Sequence, residues 1–69
     1  MDKVEKFILE NYEIGDILPS ETMLCEILNC SRTYIRERKV RLHHKGILKI
    51  EHSKPTRLIA DVLLNEEHF

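Results

Sequence analysis

The spacing of the hydrophobic residues changes once along this chain, at Gly46. Before Gly46, apolar side chains recur every three or four residues, which places them on one face of a helix. After it, the period falls to about two in two short segments, 47–51 and 57–60, which flank a turn-like stretch at 52–56. The pattern therefore predicts helices followed by a β-hairpin with a basic tip, over about residues 47–60.

Helix breakers end the first predicted helix, which covers about residues 2–12 and has Asp2 as a possible N-cap. Gly15 supplies a permissive backbone in the sequence Ile14-Gly15-Asp16. Leu18 is predicted to be extended, because a residue that precedes proline avoids the α region. The chain is therefore expected to turn between about residues 13 and 20 before a second helix begins.

Two further helices are predicted from their caps. Ser20 can cap a helix over about residues 21–29, and Ser31 can cap a third over about residues 32–45. Gly46 follows the third helix at the position where a C′ glycine commonly ends one. The core-facing stripe predicted for the second helix consists of Leu24, Ile27 and Leu28.

The short length of the chain limits what it can do. At 69 residues it is predicted to be one small domain, with little room for an enclosed active site, so an enzyme is not expected. No nucleophile is paired with a base, and no glycine-rich phosphate loop is present. His43 and His44 diverge by about 100° on a helix, so no metal or cofactor is expected.

The cysteine content and the apolar runs favour a cytoplasmic protein. Two cysteines, Cys25 and Cys30, are too few for the disulfide framework of a small secreted domain, and both are predicted to pack as small core residues. The apolar runs are too short to span a bilayer, and the acidic N-terminus lacks the apolar segment of a signal peptide. A cytoplasmic location without membrane contact is therefore expected.

Positive charge is concentrated in the middle of the chain, although the formal net charge is only −1. Residues 32–57 hold nine Lys and Arg against two acids, whereas residues 1–31 hold two cations against seven acids, and residues 58–69 hold three acids with no Lys or Arg. Local potential rather than net charge steers association, so a basic middle segment indicates a surface for a polyanion. A merely solvated cationic face is the alternative interpretation.

The order of the elements narrows the fold class. Three short helices with a tight turn between the second and third, followed by a hairpin, is the order of a winged helix-turn-helix. The predicted fold is therefore mainly α with a small β-hairpin, in a single domain that ends in a tail at residues 61–69. The third helix would be the recognition helix, and the hairpin would be the wing.

The same residues resemble the DNA-binding domain of the GntR family. The resemblance covers about residues 4–60 and is carried by Leu18-Pro19-Ser20-Glu21, Ser31-Arg32-Thr33, Ile35-Arg36-Glu37 and Gly46-Ile47. The DNA-binding domain of Crp/Fnr-type regulators shares part of the pattern and is the second family considered. The resemblance implies a bacterial or phage transcription regulator that touches double-stranded DNA through its Ser-Arg-Thr-x-x-Arg segment and its wing.

This chain departs from the family pattern at several positions. Thr22 stands where the family usually has an arginine, which removes one phosphate contact. His52-Ser53-Lys54-Pro55 replaces a glycine-rich wing tip, and Arg38-Lys39 replaces a small and apolar pair on the third helix. The family also usually carries a large C-terminal effector domain, so this chain is interpreted as a stand-alone regulator or a module of a larger one.

A helical wheel of the third helix separates a core face from a DNA-facing side. Ile35 and Leu42 define the core face, and the opposite side is predicted to enter the major groove. Arg36 is the best candidate to read a base, because its planar fork matches guanine O6 and N7. Arg32 is expected to bind phosphate. The full predicted DNA-contacting set is Arg32, Thr33, Arg36, Glu37, Val40, Lys54, Arg57 and Ser20.

The remaining basic residues have structural interpretations as well. Arg38 and Lys39 lie beside the core face, where their stems are expected to cover apolar surface while their charges reach water or an acid such as Glu10 or Glu13. On the wing, Lys49 joins Lys54 and Arg57 as a candidate phosphate contact; protection of an edge strand by charge is the alternative.

Two function classes follow from these observations. The first is sequence-specific binding of double-stranded DNA by a transcriptional regulator, with two copies expected on a two-fold site because a single small module buries limited surface. The second is a protein–protein interaction module built on a winged helix. Residues 62–64 could extend a strand, begin a helix or, with Phe69, form a dimer contact.

Overall fold

Three helices precede a two-stranded antiparallel sheet in the computed structural model, which describes residues 2–61. The elements are α1 (Lys3–Asn11), α2 (Glu21–Leu28), α3 (Arg32–His44), β1 (Leu48–Lys49) and β2 (Arg57–Leu58). The fold class expected from the sequence, mainly α with a small hairpin in a winged helix-turn-helix, is confirmed. The interpretations of residues 62–64 and of Phe69 lie outside the described residues.

Each helix begins at the side chain that the sequence offers as its N-cap. The Asp2 carboxylate accepts hydrogen bonds from the backbone N–H groups of Val4 and Glu5 at 2.9 and 3.0 Å. The Ser20 hydroxyl accepts from Met23 N at 3.2 Å, and Ser31 caps α3 in the same way by accepting from Tyr34 N at 3.1 Å. These bonds satisfy backbone donors that no helical partner can reach.

A Schellman motif ends α3. Gly46 has a φ of 81°, its N–H donates to His43 O at 3.0 Å, and Ile47 N donates to Leu42 O at 2.9 Å. The side chains of Ile47 and Leu42 are both buried in the same hydrophobic core, as is usual for the two residues at these positions of the motif. The motif turns the chain directly from the end of α3 into β1.

The core lies between the three helices and the inner face of the sheet. Its buried apolar residues are Val4, Ile8, Leu18, Leu24, Ile35, Leu42, Ile47, Leu48 and Leu58. The sequence prediction was wrong for Ile27, whose side chain is 49% exposed because it lies on the outer face of α2. Cys25 and Cys30 are both half-buried free thiols packed against the core.

The wing is anchored to the segment between α1 and α2. In the hairpin, Leu48 pairs with Leu58 and Lys49 pairs with Arg57. On the other side of β2, Ile17 forms an isolated antiparallel bridge with Arg57. Backbone bonds flank this bridge, from Leu18 N to Thr56 O and from Leu58 N to Asp16 O, each at 2.9 Å. The residues around Ile17 therefore act as a third, very short strand, which fixes the wing relative to the start of α2.

Candidate nucleic-acid interface

The solvent-facing side of α3 is a shallow, open depression. It is lined by Thr33, Arg36, Glu37 and Val40, all of which are exposed. Ile35 and Leu42 point to the opposite side, into the core. The structure therefore brings four of the predicted contact residues together on one helix face, and a helix that exposes such a face has the shape needed to enter a major groove.

Arg36 is held at this face by a carboxylate from α2. Its Nη2 donates to Glu21 Oε1 at 3.0 Å and its Nε donates to Glu21 Oε2 at 3.4 Å, so one edge of the guanidinium is bound side-on. These hydrogen bonds lower the pKa of the Glu21 carboxyl, against the opposing effect of its partial burial, and the Lys39 charge lowers it further. The same bonds raise the pKa of Arg36, whose side chain remains 61% exposed.

Arg32 is also tied to α2. Its Nη2 donates to the Thr22 hydroxyl oxygen at 3.0 Å. Thr22 directly follows Glu21, the partner of Arg36. Thr22 is thus a partner of a predicted phosphate-binding arginine. Glu21 and Thr22 are absent from the predicted DNA-contacting set. The sequence shows that a carboxylate and a hydroxyl lie near the N-terminus of α2, but it does not reveal which residues of α3 face them.

Lys39 is nearly buried, and its acid partner differs from the predicted ones. Its Nζ lies 3.9 Å from Glu21 Oε2, whereas the sequence led us to expect water or an acid such as Glu10 or Glu13. The charge does reach an acid, but that acid is neither Glu10 nor Glu13, because α3 packs against the first turn of α2 at this point. Burying an ammonium is costly unless a counter-charge lies close by, and Glu21 supplies that charge.

Arg38 covers an aromatic ring, as expected of a residue beside the core face. Its guanidinium carbon lies 4.8 Å from the centre of the Tyr34 ring, a cation–π distance. Its Nε is buried and has no hydrogen-bond partner within the described residues. Arg38 is thus engaged by α3 itself and lies outside the depression formed by the outward face.

The wing presents cations around a single carboxylate. The Glu51 carboxylate lies 3.5 Å from both Lys49 Nζ and Lys54 Nζ, and all three side chains are exposed. Arg57 Nη1 donates to Gly15 O at 2.7 Å, so this predicted contact residue also anchors β2 to the short strand beside it. The wing cations and the α3 residues that line the depression therefore belong to separate elements of the fold.

Two residues outside the predicted DNA-contacting set lie at the wing tip. His52 is exposed, and Ser53 has a φ of 61°, in the left-handed region where glycine is usual. Ser53 therefore adopts a backbone conformation that glycine favours, although it carries a side chain. The sequence shows which residue types form the tip but does not reveal this backbone conformation.

Ser20 has a local role in the structure. Its hydroxyl accepts the Met23 N–H as the cap of α2, and the side chain is exposed beside Glu21. A hydroxyl with this geometry keeps its own proton free to donate.

Two other kinds of site are absent from residues 2–61. No group of three or more His, Cys, Asp or Glu side chains is arranged to hold a metal ion within this range. No helix among the described residues is long and apolar enough to cross a membrane.

Comparison with known proteins identifies relatives of this domain. The family described as "Bacterial regulatory proteins, gntR family" matches residues 1–58. Proteins named "Fatty acid metabolism regulator protein" from Shewanella baltica, Shewanella putrefaciens and Shewanella oneidensis are each 42% identical to it over 59 residues. The matched part is 78% of this chain and 25% of each relative, so the chain spans about a quarter of the length of these curated relatives.

The family match and the structure agree. The match extends from the N-terminus through β2, and this region contains the three helices and the hairpin expected of such a domain. The resemblance seen in the sequence is confirmed: the chain belongs to the gntR family of bacterial regulatory proteins.

Proposed function

We propose that this chain is a sequence-specific, double-stranded DNA-binding domain of a transcriptional regulator. In this proposal the outward face of α3 enters the major groove and the wing lies along the neighbouring backbone. The observation that carries it is the position of Arg36, exposed on that face with part of its guanidinium free, in a domain of a family of bacterial regulators. A free guanidinium edge can donate two parallel hydrogen bonds to guanine.

The roles within the interface follow from chemistry and position. Arg36 reads a base, and Thr33 and Val40 contact thymine methyl groups. Arg32 and the α3 N-terminus bind phosphate, since helix N-terminal N–H groups favour anions. Ser20 donates to phosphate beside them. Lys54 and Arg57 are the wing contacts with the backbone. Glu37 lines the depression and can accept from an exocyclic amine of cytosine.

One domain of this size buries limited surface on DNA, so we propose that two copies occupy a two-fold symmetric site, as a homodimer or as parts of a larger regulator. The protein is proposed to act in the cytoplasm, with neither catalysis nor a cofactor.

Salt-dependent binding tests this function. Fluorescence anisotropy with labelled duplex DNA should show log K falling steeply and linearly with log salt, because each neutralised phosphate releases counterions. Selection from a random duplex library should then yield a common site and reveal whether it contains two symmetric half-sites. Failure to bind any duplex pool at low salt would overturn the proposal and favour the alternative, a protein-interaction module.

A further inference from the structure

Two consecutive residues at the start of α2 each hold one arginine of α3. Glu21 binds Arg36 through two hydrogen bonds of 3.0 and 3.4 Å, and Thr22 accepts from Arg32 at 3.0 Å. Long, exposed arginine side chains normally sample many rotamers in solution, and fixing one of them costs free energy on binding. Here both arginines are held before any ligand arrives.

The Glu21 contact leaves the base-reading edge of Arg36 available. A guanidinium has five N–H donors, and Glu21 takes the edge formed by Nε and Nη2. Nη1 and the second N–H of Nη2 form the other edge, which is the one that could bind guanine O6 and N7. The carboxylate therefore orients Arg36 without competing for the donors that the proposed readout requires.

The negative charge of Glu21 is offset where it lies. Lys39 Nζ is 3.9 Å from the Glu21 carboxylate and is largely buried, so it cannot swing away to pair with phosphate. Together with Arg36 it gives this trio of side chains a net positive charge. A lone carboxylate at this interface would repel DNA. Glu21 can lie close to DNA because the two cations offset its charge.

We propose that Glu21 and Thr22 are positioning residues that pre-orient Arg36 and Arg32 for DNA. Glu21 thereby contributes to base preference through Arg36, and Thr22 contributes to overall affinity through Arg32. This inference rests on the proposed DNA-binding function. It assigns to the first turn of α2 a part in recognition that does not require direct contact with DNA.

Thr22 is tested by a matched pair of variants. Thr22→Val keeps the shape of the side chain and removes the acceptor, and we expect it to weaken binding to cognate and random duplexes alike by about 2- to 10-fold. Thr22→Ser retains the acceptor and should restore most of the loss. In an Arg32→Ala background, Thr22→Val should have no further effect. An equal loss in both backgrounds, or none in the wild-type background, would overturn the role of Thr22.

Glu21 is tested by a second cycle with a different readout. Glu21→Gln should reduce the ratio of cognate to random affinity by about 2- to 10-fold in the wild-type background, and leave that ratio unchanged in an Arg36→Ala background. The comparison of wild type with Glu21→Gln is repeated in a Lys39→Met background, which removes the buried cation, and urea unfolding checks that each variant is folded. A ratio insensitive to Glu21→Gln, or equally sensitive in both backgrounds, would overturn the role of Glu21.

These measurements also distinguish failure of the positioning role from failure of the proposed DNA-binding function. If the wild-type protein binds duplex DNA and depends on Arg36, but the Glu21 and Thr22 effects are additive with those of the arginines, the function stands and the positioning role falls. If the wild-type protein binds no duplex, the proposed function fails and the positioning role fails with it.

Discussion

Ser53 occupies a backbone conformation that disfavours its own side chain. Its φ of 61° at the wing tip lies in the left-handed region, where a Cβ atom crowds the backbone. Ser53→Gly should therefore raise the free energy of unfolding by about 0.5–1 kcal/mol after the greater flexibility of glycine in the unfolded chain is allowed for. Thermal unfolding should show an increase in Tm of about 2–8 °C. A lower Tm would mean that the Ser53 side chain stabilises the tip.

The Glu21 carboxyl should make stability depend on pH in a defined direction. Its pKa is lowered in the folded protein by hydrogen bonds from Arg36, so its contribution to stability is complete above the ordinary glutamate pKa of about 4.3. That contribution is lost as the pH falls below this value and through the lower folded-state pKa. The stability difference between wild type and Glu21→Gln, measured by urea unfolding at a series of pH values, should narrow in that range. A difference that is constant from pH 7 to pH 3 would contradict the assignment.

Individual residue environments were predictable where they depend on one helix alone. The wheel of α3 correctly assigned Ile35 and Leu42 to the core, because the period of the helix fixes which residues share a face. The partner of Lys39 was not predictable in this way. It depends on the angle and distance between α2 and α3, which the period of either helix leaves open. Ile27 was misassigned because the period of α2 places it beside Leu24, whereas only Leu24 of this short helix is fully buried.

The turn from α3 into β1 depends on the backbone of Gly46. A Cβ built at this position meets no atom within 4 Å, so the cost of replacing the glycine arises from its φ of 81° and not from a clash. Gly46→Ala should lower the free energy of unfolding by about 1–2 kcal/mol. Gly46→Asn is the matched control, since asparagine tolerates the left-handed region, and it should cost less than alanine. Equal losses in urea unfolding would show that the Schellman turn is not what stabilises this junction.

At the scale of elements, helices were easier to predict than the sheet. Asp2, Ser20 and Ser31 mark the starts of helices through bonds to residues two or three positions away, so the sequence contains both partners of each bond. The short strand around Ile17 pairs with Arg57, forty residues further along the chain. Nothing local to Ile17 signals that pairing. The hairpin itself was predictable from its alternating pattern, because β1 and β2 are close in sequence.

Across the whole molecule, acids from the first part of the chain neutralise selected cations of the basic middle segment. Glu5, which is buried at the start of α1, lies 3.5 Å from Lys45 at the end of α3, and Glu21 pairs with Arg36 and Lys39. These pairs connect the elements of the fold. The charge asymmetry of the sequence indicated a polyanion-binding surface but could not separate cations with structural partners from those with solvent-facing charges.

In the proposed complex, Arg36 reads a base while the wing cations bind the DNA backbone. Arg36→Ala should reduce the ratio of cognate to random duplex affinity by about 5- to 150-fold, the equivalent of about 1–3 kcal/mol for a lost bidentate contact. Lys54→Ala is the matched control: it should weaken both complexes equally and reduce the salt dependence, because phosphate contacts are the same on any sequence. Anisotropy titrations of both variants against a selected site and a random duplex measure the two ratios. An unchanged ratio for Arg36→Ala would show that α3 does not read the site through this residue.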